Sequence, residues 1–111
     1  MNDDPLLVFT NCPDAATAER IARTLVEQSL AACVNQLAPT QSIYRWQGAV
    51  ERATEIPLLI KTTTQRYPEV EQAVRALHPY SVPEIIAVPI TGGLPAYLRW
   101  LAEETQPPLM A

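Results

Sequence analysis

No stretch of this 111-residue chain is apolar for long enough to cross a bilayer, which takes about 20 consecutive residues. The opening Met1-Asn2-Asp3-Asp4-Pro5 is acidic where a secretory leader is basic, so a soluble, cytoplasmic protein with no membrane partner is expected. Positive charge is also scarce. Eight Lys and Arg stand against twelve Asp and Glu, and the formal net charge of -4 argues against a nucleic-acid partner, which requires clustered cations to neutralise phosphates. There is no GxSxG, P-loop, HExxH or GxGxxG segment, and a hidden triad would have only His78 to draw on, so no enzyme and no organic cofactor are expected. Cys12 and Cys33 lack CxxC or metal-finger spacing, which fits a reducing compartment and reads as two small buried hydrophobes. With no repeat, linker or low-complexity tract, residues 1–111 read as one domain with an ordered core over about 5–105.

What is present is a regular alternation of strand and helix signals. Leu6-Leu7-Val8-Phe9, within Pro5 to Thr10, is a short continuous apolar run of the kind a central strand shows when both faces are covered. Asn11 and Asp14 are good N-cap types, and Ala18, Ile21, Ala22 and Leu25 then recur at helical spacing as far as about Ser29. From Ala32 to Thr63 the pattern is extended about a Gln47-Gly48 turn, giving a long hairpin in which Tyr44 should face Glu51, Asn35 Ile60 and Cys33 Thr62. Pro39 and Pro57 fall nearly opposite each other in that register and mark a break or bulge, because proline donates nothing to a ladder. Thr64 is the expected cap of a second helix with Tyr67, Val70, Val74 and Leu77 on one stripe, ended by Pro79. Glu84 to Val88 reads as a fourth strand and Leu94, Tyr97, Leu98 and Leu101 as a last helix, after which Pro107-Pro108 begins a frayed tail. The order βαββαβ plus a C-terminal helix predicts an α+β, ferredoxin-like split βαβ sandwich: a four-stranded antiparallel sheet with both main helices on one face and a long hairpin between its second and third strands.

Such a chain is incomplete alone. The far end of the hairpin carries Ile43, Tyr44, Trp46 and Val50, and a two-stranded ribbon is marginal in water unless something lies on it. Burying one large side chain is worth roughly 1.5–3 kcal/mol, so these four supply much of an interface, and a second uncovered surface is expected on the sheet around Leu59. A cyclic homo-oligomer covers both; a monomer whose hairpin folds back at the two prolines is the alternative.

For chemistry, Cys33, His78, Glu84 and Cys12 are the potential metal ligands, and their spacing requires several chains to converge or to complete one another's site. His78 beside Pro79 fits either a hydrogen-bonding role or ligand recognition. Lys61 emerges from apolar Leu58-Leu59-Ile60 and should snorkel or pair with an acid, Glu51, Glu55 or Glu84 being available. Glu55 cannot reach it within one extended strand, since six residues span roughly 20 Å. Trp46, Lys61, His78 and Tyr80 together suggest a cleft for a small anion.

Leu30-Ala31-Ala32-Cys33-Val34-Asn35, Ser42-Ile43-Tyr44-Arg45-Trp46-Gln47-Gly48, Glu55, Leu59-Ile60-Lys61-Thr62, His78-Pro79-Tyr80 with Pro83-Glu84, and Tyr97-Leu98-Arg99-Trp100 strongly resemble the CutA family in order and spacing, from about Leu7 to Glu104. The resemblance implies a ferredoxin-like protomer, a homotrimer built through the long hairpins, likeness to the PII signalling proteins, and tolerance to divalent cations with binding of Cu(II) or another such ion. It also implies a cleft between subunits, to which Trp46, Glu55, Lys61, His78, Tyr80 and Glu84 are the matching residues, and where a PII-like protein would instead bind a small anionic metabolite or nucleotide. Thr10 departs from the pattern, since many relatives place a cysteine there, and so does Pro57.

Overall fold

The computed structural model describes residues 3–108; the tail expected beyond Pro108 lies outside the described residues. Five strands and three helices follow in the order β1 (Pro5–Cys12), α1 (Ala15–Glu27), β2 (Cys33–Gln36), β3 (Thr40–Trp46), β4 (Ala49–Thr63), α2 (Tyr67–Leu77), β5 (Ile86–Pro89) and α3 (Pro95–Glu104). The pairing is antiparallel throughout, in the order β2-β4-β1-β5, with β3 also paired to β4. This is an α+β fold, and β4 is its spine: it holds β1 on one side and both β2 and β3 on the other.

The helices form where the sequence provides a face and a start. Asp14 caps α1, its Oδ1 accepting the Thr17 N–H at 2.8 Å, and Ala18, Ile21 and Leu25 are buried along one side. Ser29, at φ 57, ends α1 in the left-handed region, and Leu30 N returns to Leu25 O at 2.9 Å. The cap position of α2 belongs to Arg66 and not to Thr64: the chain turns once more, and Pro68 in the first turn supplies the start. Likewise β5 begins at Ile86, two residues after the expected Glu84, and Leu94 caps α3 from outside.

Alternation along the strands sorts the core. Val8, Cys12, Ile56, Leu58 and Ile60 point to the helices, where Ile21, Leu25, Val70 and Val74 close over them. Residues of the other parity, Leu7, Phe9, Leu59, Ile86 and Val88, share the opposite face, where Ile86 is 53% and Val88 42% exposed. Within one protomer the first strand is covered by helices on one face only, and its other face belongs to the uncovered sheet surface expected around Leu59. Leu7 and Phe9 are only half-buried, because both main helices lie on the other side.

The hairpin is long, as expected, and broken in one arm only. The first arm divides into β2 and β3, whereas β4 runs unbroken through Pro57 for 15 residues. The outer register matches expectation, with Tyr44 opposite Glu51 and Thr40 opposite Glu55. The inner register is shifted by one: Cys33 faces Lys61 and Asn35 faces Leu59. The cause lies in the interval between, where residues 37–39 stand against 56–57 and Leu37 N donates to Pro57 O at 3.0 Å. This extra residue is the bulge that the two prolines announced.

Candidate functional site

A cleft of about 590 Å³ runs along the hairpin from Glu55 to Trp46, beside the segment after α2. Three places in the chain build it. From β3 come Ser42, Tyr44 and Trp46, which alternation puts on one face together with Glu55 of β4; Ile43 also lines it. From the end of β1 comes Asn11, and the segment before β5 supplies Tyr80, Ser81, Val82 and Glu84.

Its polar groups are tied together. Tyr80 Oη donates to Glu55 Oε2 at 3.0 Å, and Asn11 Nδ2 donates to Glu84 Oε1 at 3.0 Å. Burial, then the hydrogen bond to Glu55 and the charge of that carboxylate, push the Tyr80 phenol up to about 12, so it stays protonated and donates. Beneath the wall His78 is 7% exposed and serves as a brace. Its Nδ1 accepts the Tyr80 N–H at 3.2 Å, which fixes the proton on Nε2, and Nε2 donates to Asn11 O at 2.7 Å. One ring thereby ties the aromatic wall to β1, with the His78 and Tyr80 rings 4.6 Å apart.

Of the six residues expected at the cleft, Trp46, Glu55, Tyr80 and Glu84 line it, and His78 supports it with both ring nitrogens engaged. Lys61 is elsewhere. It stands on the open sheet face, where Nζ donates to Asn35 Oδ1 at 2.8 Å, so its partner is an amide and not one of the acids proposed for it. The shifted register explains why: Asn35 opposite Leu59 shares a face with Lys61, whereas Asn35 opposite Ile60 would lie on the other side. Without Lys61 and with His78 occupied, the lining offers an anion no cation; its charged groups are Glu55 and Glu84. Asn11, Ser42 and Ser81 were not expected, because small polar residues carry no site signal until the folded chain brings them to one cleft.

The metal candidates are likewise dispersed. Cys33, His78 and Glu84 do not form a three-ligand group, nor does any other set of His, Cys, Asp or Glu among the described residues. Both thiols are free. Cys12 is fully buried, and desolvation, then the nearby charges of Asp14 and Glu55, raise its thiol to about 11, which makes it inert. Cys33, expected to be buried, is only half so and sits beside Lys61 on the open face.

Fold and cleft together define a small α+β protein that presents an acidic, aromatic-walled pocket next to an uncovered sheet face. Residues 6–104 match the family described as CutA1 divalent ion tolerance protein, and the chain belongs to that family. It is 50% identical over 99 residues to the divalent-cation tolerance protein CutA of Thermus thermophilus, covering 89% of this chain and 96% of that protein. Protein CutA of Mus musculus is 43% identical over 88% of this chain, which spans only 55% of the mouse protein. The crystal structure of CutA from Xylella fastidiosa superposes with a TM-score of 0.90 at 48% identity, over 93% of this chain and 99% of that one. The family's description is of tolerance to ions, not of a catalysed reaction, and none of the described helices is long and apolar enough to cross a membrane.

Proposed function

We propose that this chain is a divalent-cation tolerance or response protein that works as a homotrimer and binds Cu(II) or another divalent ion where protomers meet. The protomer is ferredoxin-like in this reading, a split βαβ unit of one domain. The observation that carries the proposal is the charge of the cleft: two carboxylates, Glu55 and Glu84, with no cation among the lining side chains. A cation is drawn to such a pocket, while its low-dielectric aromatic wall limits screening.

The described residues of one protomer hold no complete donor set, so in this reading the ion takes ligands from two. Glu84 faces the cleft and gives up only an amide contact to bind. Cys33, half-buried on the open face, is the soft donor that a neighbour would bring. His78 joins only by releasing the Tyr80 N–H. Two unpaired thiols support a reducing, cytoplasmic setting.

Isothermal titration of Cu(II) and Zn(II) tests the reading. Binding is expected for at least one ion and should weaken about tenfold or more on Glu84→Gln, in line with loss of a ligand or its close support. Heats at the buffer background for both ions would sink it.

A further inference from the structure

The cleft is larger than an ion needs and is drawn out along the hairpin. Its volume of about 590 Å³ suits a small organic molecule. Strand alternation puts Ser42, Tyr44 and Trp46 on the cleft side of β3, and the residues directly opposite them on β4 are Ala53, Glu51 and Ala49. The short alanines leave a trough beside the two rings. Glu55 ends it on the inner side, four residues from Glu51 and so about 13 Å away along an extended strand. Glu84 stands at the same inner end, tied to Asn11, whose own partner is Pro57. None of the three carboxylates meets a basic side chain among the described residues. Glu55 is 7% exposed, lines the cleft and accepts the neutral Tyr80 hydroxyl. A buried carboxylate without a cation is costly, so the inner end asks for positive charge.

We propose that the trough binds a linear aliphatic polyamine, with one terminal ammonium group at Glu55 and Glu84, the other at Glu51, and the methylene chain laid over Ala53 and along the Tyr44 ring. The geometry separates this ligand from a bare ion. A divalent cation is held by donors that converge on one point, and the described residues hold no such group of three. A polyamine spreads its charge along a line, as the carboxylates are spread, and its methylenes need apolar walls, which Tyr44 and Trp46 provide. Ammonium groups are also drawn to aromatic faces. Arg45 and Arg52 lie on the opposite face of the hairpin, paired with Val50 and Ile43, so neither competes for these acids. The inference goes beyond the ion reading and shares one premise with it, the uncompensated charge of the cleft. The two kinds of cation should therefore compete, and neither requires the other.

Isothermal titration of the full chain with spermidine in chelator-treated buffer tests it. One spermidine per protomer is expected, and the shorter diamine putrescine, which cannot reach from Glu55 to Glu51, should bind about tenfold more weakly. Glu51→Gln should weaken spermidine by about threefold, the worth of an exposed ion pair, and leave putrescine unchanged. Glu55→Gln should weaken both amines by about thirtyfold, because its charge is buried. Glu103→Gln, which removes an exposed charge from α3, should alter neither. Should Glu55→Gln fail to fold by circular dichroism, the contrast between the two amines in Glu51→Gln decides the matter. Heats that never saturate, or equal losses in Glu51→Gln and Glu103→Gln, mean diffuse attraction to an acidic surface and overturn the site. Silence with spermidine beside clear Cu(II) or Zn(II) heats overturns this inference and leaves the ion reading standing; the reverse pattern sinks the ion reading and leaves the polyamine site.

Discussion

Asp14 shows how far a single side chain can be read from sequence. A carboxylate ahead of an apolar helical repeat is an N-cap signal, and the Thr17 N–H and then its hydroxyl hold the Asp14 carboxyl below the usual range. Because the folded value is depressed, its contribution to stability is complete above the unfolded carboxyl value of about 3.9 and is lost as pH falls through the lower folded value. Thermal melts should therefore separate wild type from Asp14→Ala near neutral pH, with the gap narrowing as the pH is taken below the ordinary carboxyl range; a constant gap would deny the cap its charge. Lys61 marks the opposite limit. Its strand and its apolar neighbours were legible, but its partner was not, because Asn35 reaches it only after a register shift that composition does not encode.

At the scale of elements, the hairpin was readable from its turn outward. Gln47 at φ 50 and Gly48 at φ 84 both occupy the left-handed region, the conformation a tight two-residue connection needs to match strand twist. Gly48→Ala should cost roughly 1–2 kcal/mol by denaturant unfolding, since a side chain there meets the left-handed penalty; an unchanged midpoint would mean that the turn does not hold the strands. Counting from this turn places every pair correctly as far as Thr40 opposite Glu55, and then fails by one. Prolines stand in both arms, so the sequence announces a defect without saying which arm carries the extra residue. The structure puts it between β2 and β3, and with it go the faces of Cys33 and Asn35. The cap of α2 failed for a similar reason: threonine is a good cap by type, but the chain needs another turn before Pro68 can begin the helix.

On the scale of the whole molecule, the exposed apolar surface is what the fold leaves over. Its long axis is 47 Å against 23 Å across, and the hairpin tip carries Tyr44 and Trp46 on one face with Ile43 and Val50 on the other, the last two 65% and 67% exposed. A ribbon apolar on both sides cannot be covered by folding back once, which favours neighbours over a self-contained monomer. Trp46→Ala should raise the dissociation constant of the assembly by about thirtyfold, the effect of losing a well-packed aromatic anchor worth ~2 kcal/mol. Sedimentation velocity over a dilution series checks this, and coincident profiles for the two proteins would exclude the hairpin tip from the interface. The general architecture was visible because strand, turn and helix periodicities are local. The cleft was visible only in part: Glu55 and Glu84 were legible, whereas Asn11, Ser42 and Ser81 come from segments that meet only in the folded chain.

That β4 serves three partners at once has a further implication for how the protein comes apart. The first strand cannot leave alone: freeing it strips one flank of the same backbone whose other flank anchors the hairpin, and takes the edge strand β5 with it. Birth follows the same rule. The pairing of Pro5 with Thr63 closes a loop of more than fifty residues, so the emerging chain must hold its apolar start in waiting until the spine arrives.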